Sequence, residues 1–369
     1  MILYINGNYP YHSLHGELVS KIAELGNEIT VFVPIKGTEC EGKYCCNHPN
    51  VRIIYCDCLK NTDKVFFLKK IQKIVKRVED DVDLTKVDCI LAGTVYSDGL
   101  VAYFLNKKYH IPFSFAVRQT DVTYQMRWRP YLNGYIRKMT RAATCIIFLS
   151  HAYKQYMNRF EADPRKYVVI PNAVNDYWFI QQKHIRTIHN PVSLIYVGEI
   201  DKNKNVTTTL QTVALLNSES VPIELHIIGS GPEEEHCKLL VKEIGIDNKV
   251  FFHGWQADKE KIKGFYDKSD IFIMPSYKET FGTVYVEALS QGLPIIYTKN
   301  QGIDGYFEEG SVGYACDPHN VQEIAQKIKI IIDNYATMSN ECLNQSNRFT
   351  WDMVAKKYNE VLHNCMRGK

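Results

Sequence analysis

The sequence predicts an α/β protein with two Rossmann-like, doubly wound domains. Short apolar runs alternate with longer helix-compatible segments along the chain, which is the pattern of repeated βαβ units. The alternation starts afresh after residues 178–192, a polar, basic and weakly periodic segment typical of a linker. A length of 369 residues is enough for two domains that each bury a core. Two such domains facing each other would form a central cleft at the carboxyl ends of their strands, where ligands of this architecture bind.

The first predicted domain, residues 1–177, has strands separated by amphipathic helices. Helical patterns include HGELVSKIAELG, which Gly26 closes, and DKVFFLKKIQKIVKRVED. The predicted strands are ILYI (2–5), ITVFVP (29–34), VRIIYC (51–56), CILAG (89–93), FSFAV (113–117), CIIFLS (145–150) and YVVIPN (167–172).

The second predicted domain, residues 178–350, repeats the same rhythm, and residues 351–369 form a last helix. Each apolar run is followed by a helix-compatible segment, so a second parallel sheet is expected. The predicted strands are SLIYVG (193–198), IELHIIG (223–229), KVFFHG (249–254), DIFIMPS (270–276) and LPIIYT (293–298).

Bulk composition excludes several classes of protein. A formal net charge of +3 is too small for a dedicated nucleic-acid binder, so no nucleic-acid partner is expected. The first residues lack the pattern of a signal peptide, and no run of 18 apolar residues occurs, so a cytoplasmic protein is expected. Five of the eleven cysteines crowd between Cys40 and Cys58, close to His48. Without paired CxxC knuckles, this cluster is either a zinc site or a group of reduced thiols.

Two strand-to-helix turns of the second half carry residues suited to a phosphate. YVGEIDKNKN places Gly198 at a strand end, with Lys202 and Lys204 just beyond it. HIIGSGPEEE places Gly229 and Gly231 around a tight turn. A glycine after a strand is most often part of an ordinary turn, so each turn alone is weak evidence.

The stretch YKETFGTVYVE, residues 277–287, is more specific. Phe281, Gly282 and Thr283 would lie at a helix start, where free N–H groups and the helix dipole bind phosphate. Glu279 precedes this helix and Glu287 lies inside it; carboxylates there can accept hydrogen bonds from pairs of sugar or ribose hydroxyls. These features together predict a site for a nucleotide diphosphate attached to a sugar. The alternative treats both acids as ordinary surface residues, but the apolar neighbours of Glu287 argue against full exposure.

These motifs resemble those of the nucleotide-sugar glycosyltransferases of family 4, which are retaining enzymes of GT-B fold. Glu279 and Glu287 match the E-x7-E spacing of that family within PSYKETFGTVYVEALSQGLPII. VVIPNAVN, IIGSGPE, VFFHGW and the ending FTWDMVAKKYNEVL occupy the expected places. The resemblance covers most of the chain, is specific in the second domain and is looser in the first. It implies that the last helix returns toward the first domain.

The resemblance also implies roles for individual residues. Glu287 would hold the donor ribose, and Glu279 would approach the hydroxyls of the donor sugar. The amides of residues 281–283 would hold the diphosphate, which Lys204 would also face. Transfer would proceed with retention at the anomeric carbon, without a metal ion or other cofactor and without a covalent enzyme intermediate.

Three departures from the family pattern concern charge and the acceptor side. Glu199 stands where the family usually has an arginine, and an acid there would repel a diphosphate at close range. Arg118 stands where a histidine is frequent; it would either clamp the donor phosphate or form a salt bridge with Asp121. The usual pair of early glycines is absent, which leaves Gly16 and Asp121 as acceptor-side candidates. Lys202 is a second candidate for compensating Glu199.

Two segments of the first domain, 63–80 and 127–141, interleave basic and apolar residues. Each is either an interfacial segment that brings the site to a membrane surface or a core-packed segment with a basic solvent face. The formal DxD at Asp81 and Asp83 lies in a polar run and is interpreted as solvated charge, not as a metal site.

The predicted function is therefore transfer of a sugar from a nucleotide-diphosphate donor to a glycan or lipid-linked acceptor, as in surface polysaccharide assembly. A GT-B nucleotide-sugar epimerase is the enzyme alternative. A catalytically silent nucleotide-sugar binding protein is the alternative from another class, and Glu199 is its best support. The sugar, the base and the acceptor are not readable, because residues that choose between hydroxyl patterns lie on loops without fixed spacing.

Overall fold

The computed structural model describes residues 1–180 and 186–367. Residues 181–185, part of the predicted linker, lie outside the described residues. The chain forms two compact units. Unit 1 comprises residues 1–149, 153–173 and the chain from 351, and unit 2 comprises 150–152 and 174–350. The chain thus enters unit 2 shortly before residue 178, where the sequence placed the boundary.

Unit 1 contains a seven-stranded parallel sheet. Its strands are β1 (Ile2–Ile5), β2 (Ile29–Ile35), β3 (Val51–Asp57), β4 (Cys89–Ala92), β5 (Phe113–Val117), β6 (Cys145–Phe148) and β7 (Tyr167–Val169). Their order in the sheet is β3-β2-β1-β4-β5-β6-β7. Every strand predicted for the first half is therefore present.

The sheet of unit 1 is covered by helices on both faces. Leu3 and Ile5 of β1 lie in one core cluster, whereas Ile2 and Tyr4 lie in another, because side chains alternate along a strand. The helices are α1 (Ser13–Glu24), α2 (Phe67–Asp81), α3 (Leu100–Tyr109), α4 (Met126–Trp128) and α5 (Asn133–Ala142). Gly26 ends α1 as predicted: its φ is +89°, and its N–H donates to the Ala23 carbonyl at 2.9 Å.

Helix α2 lies in segment 63–80, for which the sequence analysis left open a membrane-facing apolar side, and this side is buried. Phe67, Ile71, Ile74 and Val78 all lie in the core of unit 1. For the helix itself, the core-packed interpretation of segment 63–80 therefore holds. Among the described residues, no helix has the length and apolar character needed to cross a membrane.

Unit 2 contains a six-stranded parallel sheet with the order β10-β9-β8-β11-β12-β13. Its strands are β8 (Val192–Val197), β9 (Ile223–Ile228), β10 (Val250–Phe252), β11 (Ile271–Ile273), β12 (Ile295–Thr298) and β13 (Gly313–Cys316). The helices are α6 (Val206–Ser218), α7 (Glu234–Glu243), α8 (Lys259–Asp267), α9 (Thr283–Ser290), α10 (Val321–Asp333) and α11 (Tyr335–Ser346). The predicted strands are confirmed.

Strand β13 escaped prediction because it begins with a glycine and its sequence, GYAC, contains no run of branched apolar residues. Gly313 has a φ of +139°, and a Cβ there would lie 1.9 Å from the Ile295 carbonyl oxygen of β12. The position therefore requires glycine, a residue that usually argues against a strand.

The last helix, α12 (Trp351–Arg367), packs in unit 1. Val354, Tyr358 and Leu362 join the core cluster that contains α1. Asn27 donates to the side-chain oxygen of Asn359 at 2.9 Å. The chain therefore completes the core of unit 1 after leaving unit 2.

Each sheet reverses its strand order once, between β1 and β4 in unit 1 and between β8 and β11 in unit 2. Connections diverge to opposite faces at such a reversal and leave an open crevice at the carboxyl ends of the two strands. The loops after these four strands are therefore where ligand-binding side chains are expected.

Candidate active site

The loops after β8 and β11 bring together two predicted residues of unit 2. The Nζ of Lys204 lies 2.6 Å from Oε2 of Glu279, and their side chains are only 23% and 11% exposed. The other carboxylate oxygen of Glu279 accepts the Thr280 N–H at 2.9 Å. A partly buried, charge-assisted pair of this kind fixes both side chains in one geometry.

Asparagines that the sequence did not single out hold these two loops together. Asn205 precedes α6 with a φ of +56°, and its side-chain N–H groups donate to the carbonyls of Pro275 at 3.0 Å and Pro318 at 2.7 Å. Asn203 donates to the Lys278 carbonyl at 2.9 Å. Asparagine adopts a positive φ more readily than most residues, so its place between a strand and a helix in the KNKN segment was a usable hint.

The turn before α9 offers backbone groups at the predicted diphosphate position. Gly282 has a φ of +78° and directly precedes the first helical residue, Thr283. The ring of Phe281 is 1% exposed and lies 5.6 Å from that of Tyr306, so its side chain belongs to the core and only its backbone can meet a ligand. The predicted role of this helix start in binding phosphate stays a prediction.

Glu287 lies one turn into α9, where its side chain is half-buried. Among the described residues, none donates a hydrogen bond to its carboxylate or forms an ion pair with it. Burial raises its pKa to about 7, against a smaller lowering by Lys259. Half-buried carboxylates without partners are uncommon in proteins, and this one is therefore well suited to accept hydroxyl groups of a ligand.

The predicted donor-binding glycines have clear packing reasons. A Cβ on Gly229 would lie 1.8 Å from the Gly198 carbonyl oxygen, and one on Gly231 would lie 2.4 Å from the Ile200 carbonyl oxygen. These glycines let the turns after β8 and β9 approach each other. Direct contact with a donor stays a prediction.

The two charged residues beside Gly198 are exposed. Glu199 directs its backbone carbonyl to the Tyr196 hydroxyl, which donates to it at 2.6 Å, while its side chain faces solvent. The side chain of Lys202 is exposed as well. Solvent screening weakens repulsion between an exposed acid and a nearby anion.

Unit 1 places Arg118 at the carboxyl end of β5, beside the turn after β4. Its Nε donates to the Gly93 carbonyl at 2.8 Å, and its backbone N–H donates to Oδ2 of Asp121 at 3.0 Å. No ion pair joins the two side chains, and the terminal guanidinium nitrogens have no hydrogen-bond partner among residues 1–180 and 186–367. The salt-bridge alternative is therefore wrong, and Arg118 retains donors for a ligand.

Two buried carboxyls lie near Arg118. Asp121 and Asp98 are 2% and 1% exposed, and burial raises their pKa values to about 7 and about 6. Each lies in a short π-helical turn, residues Val95–Gly99 and Asp121–Gln125, and such turns recur at functional sites. Asp98 accepts from the Thr94 hydroxyl at 3.0 Å. Asp98 was missed, although a polar residue soon after a buried strand was a usable signal.

Gly16 lies in the first turns of α1. A Cβ there would approach the Tyr44 carbonyl oxygen to 2.6 Å, so Gly16 allows the 37–50 segment to pass close to the helix. The neighbouring His15 is buried, and burial with the nearby Arg118 charge holds its pKa well below its usual value. Its Nδ1 lies 3.3 Å from the Tyr4 hydroxyl. His15 is therefore a neutral, polar side chain between α1 and strand β1.

The structure gives no support to the zinc alternative. Within the described ranges, no group of three or more histidine, cysteine or acidic side chains is arranged to hold a metal ion. The cysteines from Cys40 to Cys58 are free thiols. Asp83 of the DxD accepts the Thr85 N–H at 3.2 Å as a local cap, in agreement with its interpretation as ordinary surface charge.

Comparison with known proteins assigns both halves of the chain. Residues 180–348 match the family described as Glycosyl transferases group 1. Residues 16–178 match the family described as Glycosyltransferase Family 4. An uncharacterized glycosyltransferase of Haemophilus influenzae is 24% identical over 305 residues, which are 80% of this chain and 79% of that protein.

Solved structures share the fold. HepE from Anabaena, in complex with UDP, aligns with a TM-score of 0.71 at 18% identity over 98% of this chain and 99% of its own. HepE is also known in complex with UDP-glucose. The lipopolysaccharide outer core galactosyltransferase WaaB aligns with a TM-score of 0.77 at 18% identity, over 98% of this chain and 99% of its own. The chain belongs to the family 4 type of glycosyltransferases and has the GT-B fold.

Proposed function

We propose that the protein is a retaining, metal-independent glycosyltransferase that moves a hexose or related sugar from a nucleotide-diphosphate donor to a glycan or lipid-linked acceptor. The observation that carries this proposal is the half-buried carboxylate of Glu287, which lies one turn into the helix after the ion-paired Glu279 and has no hydrogen-bond or ion-pair partner among the described residues. A ribose offers two adjacent hydroxyls that would satisfy it.

In the proposed reaction, unit 2 holds the donor. Glu287 accepts the ribose hydroxyls, and Glu279, fixed by Lys204, accepts hydroxyls of the sugar. Backbone N–H groups of residues 281–283, at the positive end of α9, face the diphosphate. These contacts position the donor before reaction, so little reorganisation is needed as charge develops.

The bond between the anomeric carbon and the phosphate oxygen breaks while the acceptor oxygen attacks from the same face. The departing diphosphate takes the acceptor proton, which leaves nucleoside diphosphate and glycoside as products. Negative charge grows on the leaving oxygen, and the ammonium group of Lys204 is the cation of unit 2 proposed to stabilise it.

Surface polysaccharide assembly is the proposed setting. WaaB, whose fold the chain shares, is described as a lipopolysaccharide outer core galactosyltransferase, and HepE is described with UDP and UDP-glucose. Val65 and Phe66 precede α2 and are 74% and 55% exposed, and Trp128 is 63% exposed. Exposed apolar and aromatic groups beside lysines are typical of membrane-surface contact, which suits a lipid-linked acceptor on the inner face of a membrane.

The first experiment is a thermal-shift screen of the purified protein against nucleotide sugars and free nucleotides, with EDTA present. One donor should raise the melting temperature, and Glu287→Ala should abolish the rise. Transfer of that donor's sugar to an acceptor, with the anomeric configuration read by NMR, then tests retention. Inversion, or activity that returns only with a metal ion, would contradict the proposal.

A silent binding protein is the second candidate, because the resemblance to family 4 implies an arginine where this chain has Glu199. Its signature is a donor-specific thermal shift without transfer or hydrolysis. Turnover of the donor to a new nucleotide sugar without any acceptor would instead indicate an epimerase.

A further inference from the structure

Unit 1 contains a cavity of about 750 Å³ that no residue proposed for donor binding lines. It lies between the loops after β2 and β3, the start of α2 and the segment after β5. Its size falls in the usual range for small-molecule sites. Its basic lining residues are Lys36, Lys60, Lys64, Lys70 and Arg129.

The positive charge of this basic cavity is largely uncompensated. Asp63 is the only acid among the lining residues that the structure describes. Its Oδ2 already accepts from Lys73 at 2.6 Å and from the Lys60 backbone N–H at 2.7 Å. Within the described chain, the ammonium groups of Lys36, Lys60 and Lys64 form no ion pair. Like charges held together without a counter-charge repel one another, so an anion bound here would relieve the repulsion.

Two of the cations are held in place. The Arg129 guanidinium lies 4.4 Å from the centroid of the Phe67 ring and also contacts Gln125. The Nζ of Lys70 donates to the Ser97 hydroxyl at 2.9 Å, and burial lowers the pKa of Lys70. Fixed donors lose less side-chain entropy on binding than mobile surface lysines do. Ser97 also lies in the π-helical turn that carries Asp98 at the β1/β4 reversal.

The rim of the cavity is aromatic and apolar. Trp128, Tyr131 and Tyr124 are 63%, 57% and 56% exposed, and Val65 is 74% exposed. Such a rim can stack on a sugar ring or contact a hydrocarbon chain. The cavity therefore combines an anion-binding floor with an apolar or sugar-binding edge.

We propose that this basic cavity binds a diphosphate group carried by the acceptor, on the assumption that the proposed transferase function is correct. A diphosphate matches several separated cations better than a single carboxylate does, because its oxygens lie on two phosphorus centres. The group can belong to a lipid diphosphate or to a soluble phosphorylated acceptor. Either source presents the same anion to the cavity, but only the lipid diphosphate also has a hydrocarbon chain that can contact the exposed Val65.

The test measures binding of inorganic diphosphate, farnesyl diphosphate and farnesol to the full chain by calorimetry. We compare wild type with the double variant Lys60→Gln and Lys64→Gln, both exposed positions where loss of charge leaves the core intact. The matched control removes two exposed lysines of unit 1 outside the cavity, Lys107→Gln and Lys356→Gln. The donor-site control is Lys204→Met.

The cavity variant should bind farnesyl diphosphate at least about tenfold more weakly, with no change in the matched control or in Lys204→Met. Much tighter binding of farnesyl diphosphate than of inorganic diphosphate, with farnesol inactive, would identify a lipid-borne group. Equal affinity for the two diphosphates would identify a soluble phosphorylated acceptor.

Binding that is absent, unchanged in the cavity variant, or weakened only by Lys204→Met would overturn the proposal. The donor thermal shift is recorded on the same variants. If it persists while diphosphate binding fails this test, the acceptor site is wrong and the transferase proposal stands. Loss of the donor shift in wild type would instead reject the proposed function.

Discussion

The two sheets have the same strand order apart from the additional β7 of unit 1, yet the residues at their strand-order reversals differ in charge and burial. Unit 2 pairs Glu279 with Lys204 and, within the described part of the chain, offers the Glu287 carboxylate no hydrogen-bond or ion-pair partner. Unit 1 buries Asp98 and Asp121, and the terminal guanidinium nitrogens of Arg118 have no acceptor in the residues that the structure describes. The unit 2 pair is charge-assisted and fixed in geometry, whereas burial in unit 1 favours the neutral form of both carboxyls. The two edges are therefore organised for different tasks.

The largest expected effect tests whether unit 2 requires the backbone at Gly229 to lie directly against the backbone at Gly198. Gly229→Ala should lower the free energy of unfolding of unit 2 by about 4 kcal/mol or more, because the Cβ would meet the Gly198 carbonyl at 1.8 Å. Hydrogen exchange should show that unit 2 loses protection while unit 1 keeps it. Gly245→Ala is the matched control, since Gly245 also has a positive φ, +70°, but open space around it, and it should lose only about 1 kcal/mol. Equal losses of unfolding free energy in the two variants would mean that the close contact between Gly229 and Gly198 does not require glycine.

The next effect concerns Glu287, whose replacement by glutamine should raise stability at high pH but abolish donor binding. Because burial raises the folded pKa to about 7, the folded state holds a proton that the unfolded state releases from about pH 4.5 upward. The unfolding free energy therefore falls as pH rises through this window. Glu287→Gln should remove the fall, with a gain of up to about 3 kcal/mol at pH 8 and none at pH 4.

The same Glu287→Gln variant should lose the donor thermal shift. Denaturant unfolding at both pH values checks the stability change, and the donor screen checks binding. A variant that loses stability at pH 8 would show that Glu287 has a structural partner in solution.

The difference between the two edges also explains what the sequence could reveal. In unit 2, Glu279, Gly282 and Glu287 follow one strand and lie within nine residues of sequence, so a linear motif reports the site. In unit 1, Asp98, Arg118 and Lys70 come from separate elements, and their proximity depends on the strand order. Strands were predictable because apolar runs and turns are local signals, whereas π-helical turns and the basic cavity depend on tertiary packing.

A smaller effect on the transfer rate should distinguish Lys204 from Lys202, the two lysines after β8. Lys204→Met should leave Glu279 without its cation and weaken transfer by about thirtyfold, about 2 kcal/mol in transition-state stabilisation. Lys202→Met should change the rate little, because its side chain is exposed. Steady-state kinetics with the identified donor checks both. The reverse ranking would show that Lys202 compensates for Glu199 and that the Lys204–Glu279 pair has a structural role only.

The smallest net effect is expected for Asp121→Asn in unit 1. Below about pH 4 the variant should be less stable than wild type by about 1 kcal/mol, because an amide replaces only one of the two acceptor oxygens. Burial raises the pKa of Asp121 to about 7, so the wild type loses stability between about pH 4 and pH 7 and the neutral variant does not. The deficit of the variant should therefore shrink or reverse as pH rises.

Asp163→Asn provides the contrast for this pH series. Asp163 lies 2.7 Å from Arg165, and hydrogen bonds from that arginine lower its pKa to about 2. As pH rises, Asp163 therefore loses its proton in the folded state before it does so in the unfolded state. The stability lost in Asp163→Asn should grow between about pH 2 and pH 4. For Asp121→Asn, the loss should shrink as pH rises. His15 and Asp98 are present in both variants, so the two pH profiles differ only through the carboxyl that each variant removes and its neighbours. Parallel pH profiles for the two variants would contradict a raised pKa of Asp121 and would show that the folded state stabilises its carboxylate, as it does that of Asp163.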